Sequence, residues 1–234
     1  MKESSNDRRQ FLKSSGLILA GATIFTGNLV AKPEWVFQEM EEEVSPNEDL
    51  MREHGVLKRV LLIYQVVIDR IYSKNDFPPD AVIDSANIIR SFIEDYHEKL
   101  EEDYLFPRLK KANTQVELVN VLLTQHKTGR IITDKILSLS KSNLKNDDDK
   151  KQLRSYLYSF IRMYNPHEAR EDTILFPAFK KIVSKNEYDS LGEEFEEKEH
   201  KLFGEDGFDV MVNKVEGIEK KLDIYDLSKF TPKI

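Results

Sequence analysis

Two stretches of this chain, offset by 70 residues, repeat one another closely enough to constrain its architecture. The first reads His97-Glu-Lys-Leu-Glu101-Glu-Asp-Tyr-Leu105-Phe106-Pro107-Arg-Leu-Lys110-Lys111, and the second His167-Glu-Ala-Arg-Glu171-Asp-Thr-Ile-Leu175-Phe176-Pro177-Ala-Phe-Lys180-Lys181. Eight of the fifteen positions are identical. Helical periodicity alone does not reproduce the same His and Glu identities, so the repeat points to two similar halves. A His and a Glu four residues apart lie about 40° apart on a helix, one turn up the same face. Apolar residues mark that face as inward: Ile89, Ile93, Leu100 and Leu105 around His97, and Leu157, Phe160, Met163, Ile174 and Leu175 around His167. Burying an ionised carboxylate without a partner is very costly. Two such pairs facing each other make physical sense with a cation between them.

Two further histidines sit on apolar faces. His54 lies among Leu50, Met51, Leu57 and Leu61, and His126 among Val119, Leu122, Leu123 and Leu137. Four inward histidines on four helices, together with two glutamates, converge on one point in a bundle. The fifth histidine, His200, closes the acidic run Glu196-Glu197-Lys198-Glu199 and reads as exposed.

No alternating strand pattern of useful length occurs, so the fold class is all-α. Asn47 or Asp49 is positioned to cap a first helix over about 48–73, with further long helices over about 79–111, 115–142 and 149–184. Short links imply antiparallel neighbours, hence an up-down-up-down four-helix bundle over 48–184. Two shorter helices, about 186–202 and 208–222, form a C-terminal extension over 185–234. Residues 32–47 read as an acidic linker.

The chain has 234 residues, 40% of them hydrophobic, and a formal net charge of -7. The first 31 residues carry Lys2, Arg8, Arg9 and Lys13 against Glu3 and Asp7, which leaves -9 for the remainder. An acidic body argues against nucleic acid or an anionic membrane surface as partner. The absence of cysteine excludes disulfides, Fe–S clusters, thiolate zinc and cysteine nucleophiles. A metal held here is held by imidazole and carboxylate, a donor set that suits iron, manganese or zinc.

The two His-x-x-x-Glu…Leu-Phe-Pro blocks and the helices around them resemble the hemerythrin family of HHE cation-binding domains. The resemblance covers about residues 48–184. It implies a site for two iron ions, Fe2+ or Fe3+, with ligands His54, His97, His126 and His167 and with Glu101 and Glu171 as bridging carboxylates. Oxygen-carrying members have a second His one turn after the third-helix His, where this chain has Arg130. Some members use a Glu directly after the second-helix His, which makes Glu98 a further ligand candidate; Glu168 holds the same place in the second block. The departure at Arg130 speaks against reversible oxygen carriage. A rival ferritin-like class uses Glu-x-x-His from two helices. Glu94-x-x-His97 and Glu197-x-x-His200 fit that spacing, but the second lacks an apolar face and Glu94 becomes Tyr164 in the repeat.

Arg8-Arg9-x-Phe11-Leu12-Lys13, followed by an apolar stretch over 16–31, resembles a twin-arginine export signal. It implies recognition by the twin-arginine machinery and an extracytoplasmic location, with no membrane partner after signal cleavage. The expected function is binding or sensing of dioxygen, nitric oxide or peroxide. Oxidoreductase chemistry on dioxygen or peroxide, and periplasmic metal sequestration, use the same donor set.

Overall fold

A computed structural model describes residues 44–141, 144, 146–204 and 207–233, all within one unit that spans Glu43–Ile234. The export signal and most of the linker fall outside the described residues. Among these residues the regular structure is entirely helical.

Helix α1 is Pro46–Tyr72. Its N-cap is Ser45 rather than Asn47 or Asp49, because Pro46 occupies the first turn, where a missing N–H and a fixed φ are favourable. Asn47 instead lies buried, its amide donating to the Phe176 carbonyl at 2.7 Å. Helix α2 starts as Pro79–Ile88 and continues without a break through π-helical segments Ile89–His97 and Glu101–Leu105 to Phe106–Lys111. Helix α3 is Val116–Lys141. It follows a turn in which Asn113 and Gln115 take positive φ. Helix α4 is Asp147–Arg170, extended through a π-helical Glu171–Leu175 to Phe176–Ile182. Its cap is Asn146, whose side chain accepts from the Asp149 N–H at 2.7 Å. Helices α5, Lys185–Phe203, and α6, Gly207–Lys221, complete the fold before a 3-10 turn at Leu227–Phe230.

α1 packs against α2 and α4, and α3 packs against the same two helices from the other side. The core between them is aliphatic and aromatic, with Leu57, Val60, Phe92, Leu122, Leu157 and Phe160 at most 1% exposed. α5 and α6 both lie on α1. A bidentate pair, Arg59 Nε and Nη2 with Glu219 at 3.0 and 2.5 Å, ties α6 to α1. No helix among the described residues is long and apolar enough to cross a membrane.

Two expected core residues are not core. Ile174 is 41% exposed and Met51 is 45% exposed. Ile174 lies inside the π-helical turn of α4, where each residue advances less around the axis than an α-helical register assumes.

Candidate metal centre

The Leu-Phe-Pro blocks create the local backbone on which the site is built. Proline has no N–H to donate, and its ring clashes with the carbonyl four residues earlier. Both helices answer by opening one wide turn. Phe106 N–H bonds to the Glu101 carbonyl and Phe176 N–H to the Glu171 carbonyl, each five residues back. The two glutamates of the repeat therefore head identical π-helical turns, a deformation that recurs at functional sites. The phenylalanines of the motif are also part of the site. Phe106 stacks on the His126 imidazole and Phe176 on that of His54, both at 5.6 Å between ring centroids.

The structure brings together six of the seven candidate ligands: His54, His97, Glu101, His126, His167 and Glu171. All are at most 4% exposed. His54 and His97 face each other at 4.7 Å between centroids, and His126 and His167 at 5.1 Å. Between these two pairs lie the carboxylates. Glu171 is 3.0 Å from His167 Nε2 and 3.4 Å from His54 Nε2. Glu101 Oε2 is 3.5 Å from His126 Nε2 and 4.0 Å from His97 Nε2. Glu101 belongs to two groups of donor atoms, one with His54 and His97, the other with His126, His167 and Glu171; within each, the atoms lie inside 4.8 Å of one another.

The outward nitrogens of the four imidazoles are each held by the neighbouring helix. His54 Nδ1 meets Asp172 at 2.7 Å, His97 Nδ1 meets Glu53 at 2.5 Å, His126 Nδ1 meets Glu102 at 3.1 Å, and His167 Nδ1 meets Gln125 at 2.9 Å. Carboxylate and amide oxygens only accept, so each Nδ1 carries a proton and each Nε2 faces inward. This is the arrangement by which metal-ligating histidines are oriented and made more basic. It also runs in a ring: α1 holds the His of α2, α2 that of α3, α3 that of α4, and α4 that of α1. Glu102 and Asp172 are equivalent in the repeat. Glu53 and Gln125 each directly precede a site histidine. The repeat thus extends to the supports, with one break, since three supports are carboxylates and Gln125 is neutral.

The electrostatics fit a cation. Both oxygens of Glu101, both of Glu171 and Nε2 of His126 are buried with no hydrogen-bond partner among the described residues. Burial, with Glu171 alongside, pushes the Glu101 carboxyl well up. Burial also acts to raise Glu171, but His167 and His54 hold it well below the usual range. Burial opposes protonation of His54, yet Asp172 and Glu171 keep it protonated up to about 10. Burial lowers His126 to about 4 and holds His97 well below the usual imidazole range. Orphaned oxygens and inward-facing Nε2 atoms are what a metal would use.

The seventh candidate, Glu98, falls in a third group of donor atoms, with Glu102 and His126, which shares His126 with this cluster. Its Oε1 accepts from the Tyr164 hydroxyl at 2.6 Å, and its Oε2 is 2.7 Å from Arg130 Nη2. The imidazole nitrogen it approaches is His126 Nδ1, at 4.0 Å, on the outward side of that ring. Arg130 also pairs with Glu102 at 2.9 Å. Glu168 is the counterpart of Glu98 and pairs with Lys58 on α1. His200 is exposed on α5 and is not in the cluster. Sequence reasoning missed Glu53, Glu102, Gln125 and Asp172, and did not foresee the bond from Tyr164 to Glu98. The available signal was adjacency, since each of the first four is next to a candidate ligand.

A buried set of four imidazoles and two carboxylates, carried by four helices and free of thiolate, defines a helical protein with a non-haem metal centre. Residues 45–179 match the hemerythrin HHE cation binding domain, and the chain belongs to that family. It is 49% identical over 195 residues to Uncharacterized protein Mb2018 of Mycobacterium bovis and to Uncharacterized protein Rv1995 of Mycobacterium tuberculosis, covering 83% of this chain and 76% of each relative. No solved structure matches.

Proposed function

We propose that this chain is an exported di-iron protein that binds or senses dioxygen, nitric oxide or peroxide. Its body, 48–184, is an up-down-up-down four-helix bundle, preceded by a twin-arginine signal over 1–31 and followed by the helical extension 185–234. The observation that carries the reading is Glu101, shared between two groups of donors whose buried oxygens have no other partner. His54 and His97 would hold one ion and His126 and His167 the other, with Glu101 and Glu171 between them. A pair of iron ions supplies one- and two-electron exchange with small oxygen or nitrogen ligands.

The chain's own residues shape that chemistry. Phe106 and Phe176 cover imidazole faces and keep bulk water from them. Asp172, Glu53 and Glu102 strengthen their histidines as donors, which favours the higher oxidation state. Arg130 occupies the position where oxygen carriers have a ligand, and it is bound to Glu98, Glu102 and the Glu94 carbonyl. It cannot ligate, and its N–H groups neutralise carboxylates beside the site. This favours oxidation or sensing over reversible carriage. Mixing the anaerobically reduced protein with oxygen in stopped-flow absorbance tests the reading. Complete oxidation within minutes is expected. A spectrum that bleaches under vacuum and returns with oxygen would show a carrier instead. Arg130→His is expected to move the protein toward that behaviour.

A further inference from the structure

A second cluster lies where the C-terminal extension meets α1. One carboxylate oxygen each from Asp49, Glu53 and Glu199 lie within 4.8 Å of one another. Asp49 and Glu53 are one turn apart on α1, while Glu199 comes from α5, beyond the residues that match the family domain. The cluster is not a solvated acidic face. Glu53 is fully buried, and its Oε1 has no hydrogen-bond partner among the described residues. The nearby Tyr96 hydroxyl makes its hydrogen bond to the Phe195 carbonyl, at 3.4 Å. Glu199 is held in place from α6: its Oε1 accepts from the Phe208 N–H at 2.7 Å, and a Cβ on Gly207 would stand 2.8 Å from its Cγ. Arg52 is a cation that acts on all three carboxylates. It is turned over the Phe208 ring at 4.3 Å.

Gathering three carboxylates at partial burial around an unpartnered oxygen is costly unless positive charge joins them. Burial, and then Glu53, push the Asp49 carboxyl up to about 8. Protonation would relieve the repulsion by removing charge, and the Tyr96 hydroxyl also acts on Glu53. A cation meets all three oxygens at once, and an oxygen-only donor set suits hard divalent ions. The cluster also grades inward. Glu196 is exposed and acts on Asp49 and Glu199, those two are half-buried, and Glu53 is fully buried. The other oxygen of Glu53 is the one that holds His97 Nδ1 at 2.5 Å.

We propose that Asp49, Glu53 and Glu199 form a second, exchangeable site for a divalent cation, from which metal passes to the His/carboxylate centre. The uptake role rests on the function proposed above; the site itself stands on its own residues. Full-length protein, desalted after iron loading, is titrated with Mn2+ while free Mn2+ is read by electron paramagnetic resonance. One exchangeable Mn2+ is expected in the parent chain and none in Glu199→Gln or Asp49→Asn. Glu199→Gln keeps the oxygen that accepts from Phe208, and circular dichroism confirms that each variant is folded. Both variants are expected to take up iron more slowly but to reach the same final content. No exchangeable Mn2+ in the parent, or Mn2+ binding unchanged in both variants, would overturn the site. Unchanged loading rates would overturn the uptake role. Iron absent after desalting would instead count against the di-iron centre, and the Mn2+ lost with Glu199 is read the same way with or without that iron.

Discussion

Gly129 is expected to be irreplaceable, for a reason that belongs to the site. A Cβ built at this position of α3 would stand 2.1 Å from the Tyr164 hydroxyl oxygen and 3.0 Å from its Cζ. Tyr164 has no room to yield. It is 1% exposed, stacks on Phe160 at 4.3 Å between centroids, and lies 5.2 Å from the His167 ring. In Gly129→Ala the tyrosine must move and release Glu98, which leaves a buried carboxylate oxygen and a buried hydroxyl without each other. That loss costs about 1–3 kcal/mol. Overpacking adds about 1–3 kcal/mol. The better helix propensity of Ala returns about 0.5–1 kcal/mol. The net is a destabilisation of about 3 kcal/mol, or a melting point lower by about 6–12 °C for a chain of this size. Urea unfolding of the metal-free protein, followed by circular dichroism, measures it. Tyr164→Phe in the same background removes the nearest clashing atom and is expected to recover part of the loss. A Gly129→Ala chain as stable as its parent would refute the close packing of Tyr164 on α3.

Three further outcomes are expected. Asp172→Asn and Glu53→Gln, which weaken the supports of His54 and His97, should each lower metal affinity by about 10–100-fold in competition with a chelator, with the fold retained. Burial first, against the pull of Thr133 and Arg90, raises the Glu94 carboxyl from 4.5 to about 7. Between these values the native chain holds a proton that the unfolded chain has lost, so stability falls as pH rises through that window. Glu94→Gln should shallow the decline in the melting temperature of the metal-free protein, and an unchanged slope would contradict it. If the pair is the export address proposed above, replacing Arg8 and Arg9 by Lys should trap folded protein in the cytoplasm, checked by fractionation and immunoblotting, and normal export of that variant would contradict the proposal.

The helical fold and the approximate helix spans were legible because periodicity and breakers are local. Pro79 marks its helix start in the sequence, whereas the first helix starts at Pro46 rather than near 48 and the fourth at Asp147, after an Asn146 cap, rather than near 149. The six clustered donors were legible for a different reason: His-x-x-x-Glu set in an apolar stripe has few physical explanations. What was hidden depends on register between helices. Glu98 lies within reach of a metal on a straight α-helix. In the structure, with π-helical segments on both sides of it, its carboxylate pairs with Arg130 and Tyr164 and groups with Glu102 and His126 rather than with Glu101. The Nδ1 supports reach across to a neighbouring helix, so no spacing along one helix reveals them. Glu199 sits in an acidic run that reads as a solvated face, yet α5 turns it toward Glu53. The character of residues 1–43 rests on their sequence alone, outside the described residues.

The central claim is that the six converging donors hold a pair of metal ions. Its most direct test is elemental analysis of the full-length protein, prepared anaerobically with ample iron and desalted, beside Glu101→Ala and Glu171→Ala. The expected result is about two iron atoms per chain in the parent. Both variants should lose most of that iron if, as claimed, each lacks a carboxylate that serves both ions, whereas His200→Ala should keep it. Trace metal in the parent, or a site emptied by His200→Ala and untouched by Glu101→Ala, would contradict the account.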